Sequence, residues 1–177
     1  LQLRSHPKVQ EIRSTRAASS SAAKAEVKVT YISARGAWYT ISWKGIEEKS
    51  GGVAANIGIH FFDMLLWLFG PVERFEVHLR EPHRMSGFIE LANARVRWFL
   101  SVDPSDLPFP ALPGRKSTFR SVSIDGAEIE LSDGFADLHT EVYRAVLAGQ
   151  GLGISHARPS IELVYAIRTA PLTARPD

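Results

Sequence analysis

A helix-like stretch behind two glycines carries the residues best suited to chemistry. Asn56, His60 and Asp63 are spaced by four and then three positions, which places all three on one stripe of an α-helix. The rest of this stretch is mainly apolar, so the stripe must face either a hydrogen-bonded core or a ligand. His60 could serve as a general base near neutral pH, with Asp63 orienting its ring. A structural histidine bonded to a backbone carbonyl is the alternative that spacing leaves open.

Gly58 lies inside the same stretch, and glycine there is unfavourable for a helix. It costs about 1 kcal/mol relative to alanine in a helix interior. A glycine also lets another backbone or a bound molecule approach closely. We therefore expect Gly58 to favour a ligand next to the polar stripe.

A second group of polar and aromatic side chains precedes the glycines. It consists of cations, aromatic residues and one hydroxyl: Arg35, Trp38, Tyr39, Ser42, Lys44 and Lys49. The cations can pair with phosphate or carboxylate, and the aromatic residues can stack on a ring. Residues 36–49 show no clean period, so we predict a loop, and loops often carry ligand contacts. A loop whose charges are merely solvated is the alternative.

The remaining candidates are weaker. His139 and Tyr143 stand four positions apart on a predicted helix, where a histidine at the edge of the core is the favoured interpretation. The other histidines have no metal-ligand spacing, so we assign no metal. The sequence contains no glycine-rich dinucleotide fingerprint, phosphate loop or Gly-x-Ser-x-Gly elbow. Nothing in these residues alone would bind NAD.

The composition is that of a globular protein. The chain has 177 residues, of which 45% are hydrophobic and 23% charged, with a net charge of +2 and no cysteine. The positive charge is concentrated in the first 25 residues, which argues against a nucleic-acid-binding face. The longest apolar run, residues 57–69, is too short to cross a bilayer and contains His60 and Asp63. We expect a cytoplasmic protein with no membrane association.

Apolar periodicity and turn residues predict the elements that position these side chains. The predicted helices cover residues 7–17, 55–69, 135–147 and 160–169, and the predicted strands cover residues 26–35, 72–80, 87–91, 95–102, 118–124 and 128–131. Strands joined by hairpins, with helices grouped around them, indicate a two-layer α+β fold with a largely antiparallel open sheet covered by helices on one face. The alternation in residues 95–102 leaves a half-apolar second face, which favours a homo-oligomer, either dimer or tetramer.

Several motifs resemble those of one enzyme family. Gly51-Gly52-Val53, then Asn56-Ile57-Gly58-Ile59-His60-Phe61-Phe62-Asp63, resembles a signature of the Gfo/Idh/MocA oxidoreductases. Residues 31–39, with Ser42-Trp43-Lys44-Gly45, look like the family branch that oxidises the 3-hydroxyl of UDP-N-acetylglucosaminuronate in lipopolysaccharide O-antigen synthesis. Residues 137–143 and 157–163 look like the same branch, and the similarity covers nearly all of residues 1–170.

The resemblance implies that this chain is the substrate-binding and oligomerisation part of such an enzyme. Members of the family have an N-terminal Rossmann domain, which binds NAD and carries a catalytic lysine, and the motifs of that domain are not in this sequence. We therefore expect a helix and linker in residues 1–25, the substrate domain in residues 26–170 and a tail in residues 171–177. The isolated chain is expected to be inactive.

The resemblance also implies roles for individual residues. His60 would assist removal of the proton from the sugar 3-hydroxyl, and Asn56 would hold the sugar, although many relatives have aspartate at that position. The uronate or diphosphate would be contacted by Arg35, Tyr39, Ser42 and Lys44. Two other functions remain open: a non-catalytic assembly module with this fold, and a free-standing hydrolase or isomerase that uses His60 and Asp63 as an acid–base pair.

Overall fold

A six-stranded mixed sheet forms the frame of the protein. The computed structural model describes residues 1–18, 23–110, 117–129, 131 and 138–174. The strands are β1 (Ala25–Ser33), β2 (Val72–Arg80), β3 (Arg84–Leu91), β4 (Ala94–Ser101), β5 (Thr118–Ile124) and β6 (Ala127–Ile129). They lie in the order β2-β3-β4-β1-β5-β6, with β1 parallel to β4 and every other pairing antiparallel. The α+β class with a largely antiparallel open sheet is confirmed.

The helices pack on one face of this sheet and around its ends. They are α1 (Pro7–Ala18), α2 (Ala37–Ile41), α3 (Glu47–Ser50), α4 (Ile59–Phe69), α5 (Leu138–Leu147) and α6 (Ile154–Thr169). A π-helical segment, Ala54–Gly58, leads directly into α4, and 3₁₀ turns cover Gln2–Ser5, Trp43–Gly45 and Pro104–Asp106. Leu3 and Val9 are buried in the core, so the N-terminal segment packs onto the rest of the fold.

The core lies between α4 and the sheet. Phe62 of α4 meets Trp98 of β4 edge to face, with ring centroids 5.4 Å apart, and Phe61 meets Tyr31 of β1 at 5.0 Å. Aromatic pairs of this kind contribute about 0.5–1.5 kcal/mol beyond the area that they bury. The packing holds α4, and with it the polar stripe, firmly against the middle of the sheet.

One stretch, Glu47–Phe69, is long and apolar enough by length and composition to cross a membrane. The left-handed conformations of Gly51 and Gly52, at φ 79° and 68°, interrupt it. The apolar side chains of α4, such as Phe61 and Leu65, are buried against the rest of the fold. The stretch is therefore a core element of the domain.

Most predicted strands match their observed bounds, but two predictions about helices were wrong. Residues 36–49 form α2, a 3₁₀ turn and α3 instead of an irregular loop, partly because Ser42 caps the 3₁₀ turn by accepting a hydrogen bond from the Lys44 N–H. Helix α6 begins at Ile154 rather than at residue 160, with Pro159 inside it. Ser155, whose carbonyl would accept from position 159 in a regular helix, is exposed, so water can satisfy it. The first residues of the helix predicted over 135–147, and the link predicted at residues 19–21, lie outside the described residues.

The outer face of the sheet is more charged than the strand pattern indicated. Val96, Trp98 and Leu100 are buried on one side of β4, while Arg95 and Arg97 point outward. Two ion pairs link neighbouring strands across this face, Arg74–Glu90 at 2.8 Å and Arg95–Glu26 at 3.5 Å. Lys24, just before β1, reaches Glu90 of β3 at 3.0 Å. This face therefore presents charges of both signs around the half-buried Phe88 and Phe99.

Candidate functional site

Two glycines and a widened helical turn set the start of the polar stripe. Gly51 donates its backbone N–H to the Glu47 carbonyl at 2.8 Å and ends α3 in a left-handed conformation. The chain then enters the π-helical segment Ala54–Gly58 before α4 begins. The sequence period predicted an ordinary α-helix from residue 55. Single π turns inside helices are rare overall. Those that occur are often found at functional sites.

Asn56 joins the polar stripe to the preceding cluster of short helices. Its side-chain amide donates to the Gly52 carbonyl at 2.9 Å and lies 3.3 Å from the Tyr39 hydroxyl and 3.5 Å from the Lys44 carbonyl. The structure thus brings Asn56, Tyr39 and Lys44 together. Tyr39 is only 4% exposed, and burial raises the pKa of its hydroxyl against the opposing effects of Arg35 and Asn56. Tyr39 therefore stays a neutral hydrogen-bonding group near pH 7.

Ser42 and Arg35 fix the backbone around this cluster. The Ser42 hydroxyl donates to the Tyr39 carbonyl at 2.9 Å and accepts from the Lys44 N–H at 3.3 Å. Arg35 donates its backbone N–H to Val102 at 3.1 Å. Its side-chain Nε is buried and makes no hydrogen bond to the residues that the structure describes. Ser42 therefore orders the turn, and Arg35 lies at its edge.

Lys44 lies between two exposed indoles. Its ammonium is 5.9 Å from the ring centroids of both Trp38 and Trp43, and these rings are 51% and 56% exposed. Cation–π attraction operates at this distance. Trp43 was not among the predicted site residues. Its one available signal was its position next to Lys44 in an aromatic, cationic stretch.

His60 is half-buried at the first turn of α4. Its ring Nδ1 is buried and makes no hydrogen bond to any described residue. Burial lowers the pKa of His60 below its ordinary value, His139 lowers it further, and Asp63 acts in the opposite direction. The imidazole is therefore neutral at pH 7, the state that a general base requires.

Asp63 does not orient the ring of His60, in contrast to the role expected from spacing. Its side chain is 0% exposed and binds the Arg4 guanidinium through both oxygens, at 2.6 and 2.8 Å. The Ser160 hydroxyl adds a contact at 3.3 Å. Burial alone would raise the pKa of the Asp63 carboxyl, but these hydrogen bonds outweigh it and lower the pKa. Asn56, His60 and Asp63 lie on one continuous helical stretch, but Asp63 points into the core.

Gly58 serves close packing, and the ligand contact expected for it is not what the structure shows. A Cβ at this position would lie 2.7 Å from Leu100 Cδ1 and 2.9 Å from Phe62 Cε2. The glycine therefore lets α4 approach β4.

Replacing Gly58 with valine is expected to lower the free energy of unfolding by about 1–3 kcal/mol, since the branched side chain overfills this contact. Urea denaturation followed by circular dichroism measures the change. Thr40→Val, at an exposed helical position, is the matched control and should shift stability by less than about 0.5 kcal/mol. Equal stability of Gly58→Val and wild type would show that the contact is not tight.

The other predicted candidates lie on α5, where His139 is close enough to His60 to lower its pKa. His139 and Tyr143 are exposed on α5, so the prediction of a histidine at the core edge was wrong. Leu138 is the neighbour that fills the core. Among the described residues no three His, Asp or Glu side chains form a metal-binding group. Dinucleotide phosphates normally bind at the turn between a parallel strand and the helix after it. The sheet of the described residues is mainly antiparallel and provides no turn of that kind.

The fold agrees with comparisons to known proteins. Residues 23–104 match the family described as "Oxidoreductase family, C-terminal alpha/beta domain". The chain belongs to this Gfo/Idh/MocA oxidoreductase family and comprises its C-terminal α/β domain.

One solved relative is particularly similar to it. The WlbA (WbpB) dehydrogenase of Thermus thermophilus, solved with NAD and UDP-GlcNAcA, is 48% identical with a TM-score of 0.91, and the match covers 99% of this chain and 56% of the relative. The chain therefore spans little more than half the length of that enzyme. The WlbA dehydrogenase of Bordetella pertussis, at 17% identity and a TM-score of 0.66 over 94% of this chain and 59% of its own, shares the fold.

Proposed function

We propose that this chain is the substrate-binding domain of an NAD-dependent sugar-nucleotide dehydrogenase. The substrate is UDP-N-acetylglucosaminuronate or a close analogue, oxidised at its 3-hydroxyl. The observation that carries the proposal is a neutral His60 whose helix is joined through Asn56 to a cationic, aromatic cluster. A relative that is 48% identical was solved with NAD and UDP-GlcNAcA.

His60 acts on the proton of the reacting hydroxyl. Because its imidazole is neutral at pH 7, it can accept that proton as the C–H bond beside it breaks. NAD, bound by a domain that precedes this one, would accept the hydride from the sugar carbon. Asn56 holds the sugar near His60, since its amide is oriented by the Gly52 carbonyl and the Tyr39 hydroxyl.

The cluster formed by Trp38, Trp43 and Lys44 recognises the nucleotide end of the substrate. Two exposed indoles offer flat apolar surfaces for a base, and the ammonium between them can pair with a diphosphate. Arg35 lies close enough to Tyr39 to influence its pKa. Its positive charge suits the uronate carboxylate. Ser42 contributes by holding this turn in shape.

Lys44→Gln is expected to weaken binding of UDP-N-acetylglucosaminuronate about tenfold, because a charge-assisted hydrogen bond to phosphate contributes roughly 1.5 kcal/mol or more. Isothermal titration calorimetry of the chain measures the dissociation constant. Lys28→Gln, an exposed lysine on β1, removes the same charge and should leave the constant unchanged. If both variants bind equally well, the cluster is not the phosphate site.

We also propose a cellular setting and an assembly. The chain works in the cytoplasm in lipopolysaccharide O-antigen synthesis, as the resemblance implies. It forms a homo-oligomer through the outer sheet face. The charges of both signs there, such as Arg95 and Glu26, allow the same surface of two copies to pair around Phe88 and Phe99. Sedimentation velocity of wild type against Phe99→Lys tests this, since a buried lysine would shift the protein towards monomer.

The geometry does not favour a free-standing hydrolase or isomerase. Such an enzyme would need His60 and Asp63 to act together, whereas the Asp63 carboxylate is bound to Arg4 in the core. A non-catalytic assembly module is distinguished from the proposed function by the effect of His60 on turnover.

A further inference from the structure

The side chain of Arg4 makes three hydrogen bonds to two other parts of the fold. It lies in the Gln2–Ser5 turn and is only 9% exposed. Its Nε donates to Asp63 Oδ2 at 2.8 Å, and its Nη2 donates to Asp63 Oδ1 at 2.6 Å and to the His156 carbonyl at 2.9 Å. One guanidinium therefore connects the N-terminal segment, α4 and α6.

This pairing decides where the carboxylate of Asp63 points. Asp63 follows His60 by three positions on α4, so a carboxylate released from Arg4 lies one helical turn from the imidazole. A carboxylate that accepts an imidazole N–H stabilises the imidazolium and raises its pKa. In the structure both oxygens are bound by Arg4, and the buried Nδ1 of His60 has no partner among the described residues.

We propose that Arg4 is a positioning residue that binds both oxygens of the Asp63 carboxylate and so keeps that carboxylate from pairing with the ring of His60. The proposal rests on the proposed function for the catalytic meaning of a neutral His60. The electrostatic effect itself does not depend on any substrate. Arg4 stands 56 positions before His60 and acts on it only through Asp63.

Several groups face His60, and they set the direction of each expected change. Asp63 lies on its own helix, and His139 lies on α5. Burial and His139 lower the pKa of His60, while Asp63 raises it. Removing the positive charge of Arg4 leaves the Asp63 charge uncompensated, so the pKa of His60 must rise. Neutralising Asp63 must lower it.

The test is an NMR titration of the His60 ring in the complete chain, with the same N-terminus in every variant. Wild type is expected to titrate below pH 6.5. Arg4→Gln, which removes the charge but keeps an amide donor, should raise the His60 pKa by about one unit. Asp63→Asn should lower it, and the double variant should return it close to the wild-type value. Arg4→Lys, which restores the charge, should recover most of the wild-type value.

Arg95→Gln is the control, because it removes an arginine from the outer sheet face. A wild-type pKa at or above 6.5, or no change of the His60 pKa in a folded Arg4→Gln, overturns the proposal. If Arg4→Gln does not fold, Asp63→Asn and the wild-type titration decide the question with the opposite sign of change. Failure to bind a UDP-sugar would contradict the proposed function but leave this electrostatic result standing.

Discussion

His60→Ala is expected to lower kcat about 100- to 10,000-fold in a two-domain enzyme, the range typical of a lost general base. The enzyme is a chimera that joins the N-terminal part of the Thermus thermophilus WlbA dehydrogenase to this chain, which is 48% identical to the corresponding part of that enzyme. NADH formation from UDP-N-acetylglucosaminuronate is followed by absorbance. KM should change little, because the loss concerns the proton in the transition state and not the ground-state contacts of the sugar.

The control and the pH profile make this result specific. His78→Ala removes a histidine that pairs with Glu76 at 3.0 Å on β2, and turnover should remain at the wild-type level. Since the base must be unprotonated and burial lowers the pKa of His60, kcat/KM should fall only as the pH drops below about 6.5. Undiminished turnover of His60→Ala would remove His60 from the mechanism and favour a non-catalytic role for the domain.

Asp63→Ala is expected to lower the free energy of unfolding by about 3–5 kcal/mol, because it leaves the charge of Arg4 buried without its partner. In a domain of this size the melting temperature should fall by roughly 10 °C. Urea denaturation with a two-state fit measures the free energy. The double variant Arg4→Met with Asp63→Leu should recover most of the loss, since a well-packed apolar pair can replace a buried ion pair.

An exposed ion pair serves as the control for the buried Arg4–Asp63 pair. Lys8 and Glu11 lie 2.9 Å apart, but their side chains are 44% and 62% exposed. Glu11→Ala should therefore cost less than about 1 kcal/mol. If Asp63→Ala is no more destabilising than Glu11→Ala, the Arg4–Asp63 bond does not hold α4 in place, and the inference about Arg4 loses its structural basis.

Local features of the sequence were enough to predict most strands of the sheet, but not the parallel pairing of β1 with β4. The hairpin at Asp125-Gly126 follows from two residues that adopt positive φ, 51° and 83°. The alternation of residues 95–102 correctly assigned Trp98 to the core and Arg97 to the outer face. Each of these signals involves residues close together in the sequence, so it does not depend on contacts with distant parts of the chain.

The arrangement around His60 depends on long-range contacts that no local pattern contains. The partner of Asp63 is Arg4, 59 positions earlier. The spacing of Asn56, His60 and Asp63 predicted one stripe, but Asp63 is bound to Arg4 in the core. The ligand contact predicted for Gly58 was wrong for the same reason. Leu100, which packs against Gly58, comes from β4, far away in the sequence.

The cluster around Lys44 could be predicted only in part. The residue types indicated cation and ring recognition, yet the absence of a period in residues 36–49 concealed three short helical turns. These turns place Lys44 between Trp38 and Trp43 and bring Tyr39 to Asn56. Capping by Ser42 was the signal available in the sequence, since serine often begins a helical turn.

The most direct test of the central claim is an NMR titration of the chain with UDP-N-acetylglucosaminuronate, observing the His60 ring and the Asn56 side-chain amide. Both signals are expected to shift saturably with the complete substrate. UDP alone should move the indole signals of Trp38 and Trp43 but leave the His60 ring unchanged. If saturating UDP-N-acetylglucosaminuronate moves neither His60 nor Asn56, or shifts only residues of the outer sheet face such as His78, then this is not the substrate site and the account is contradicted.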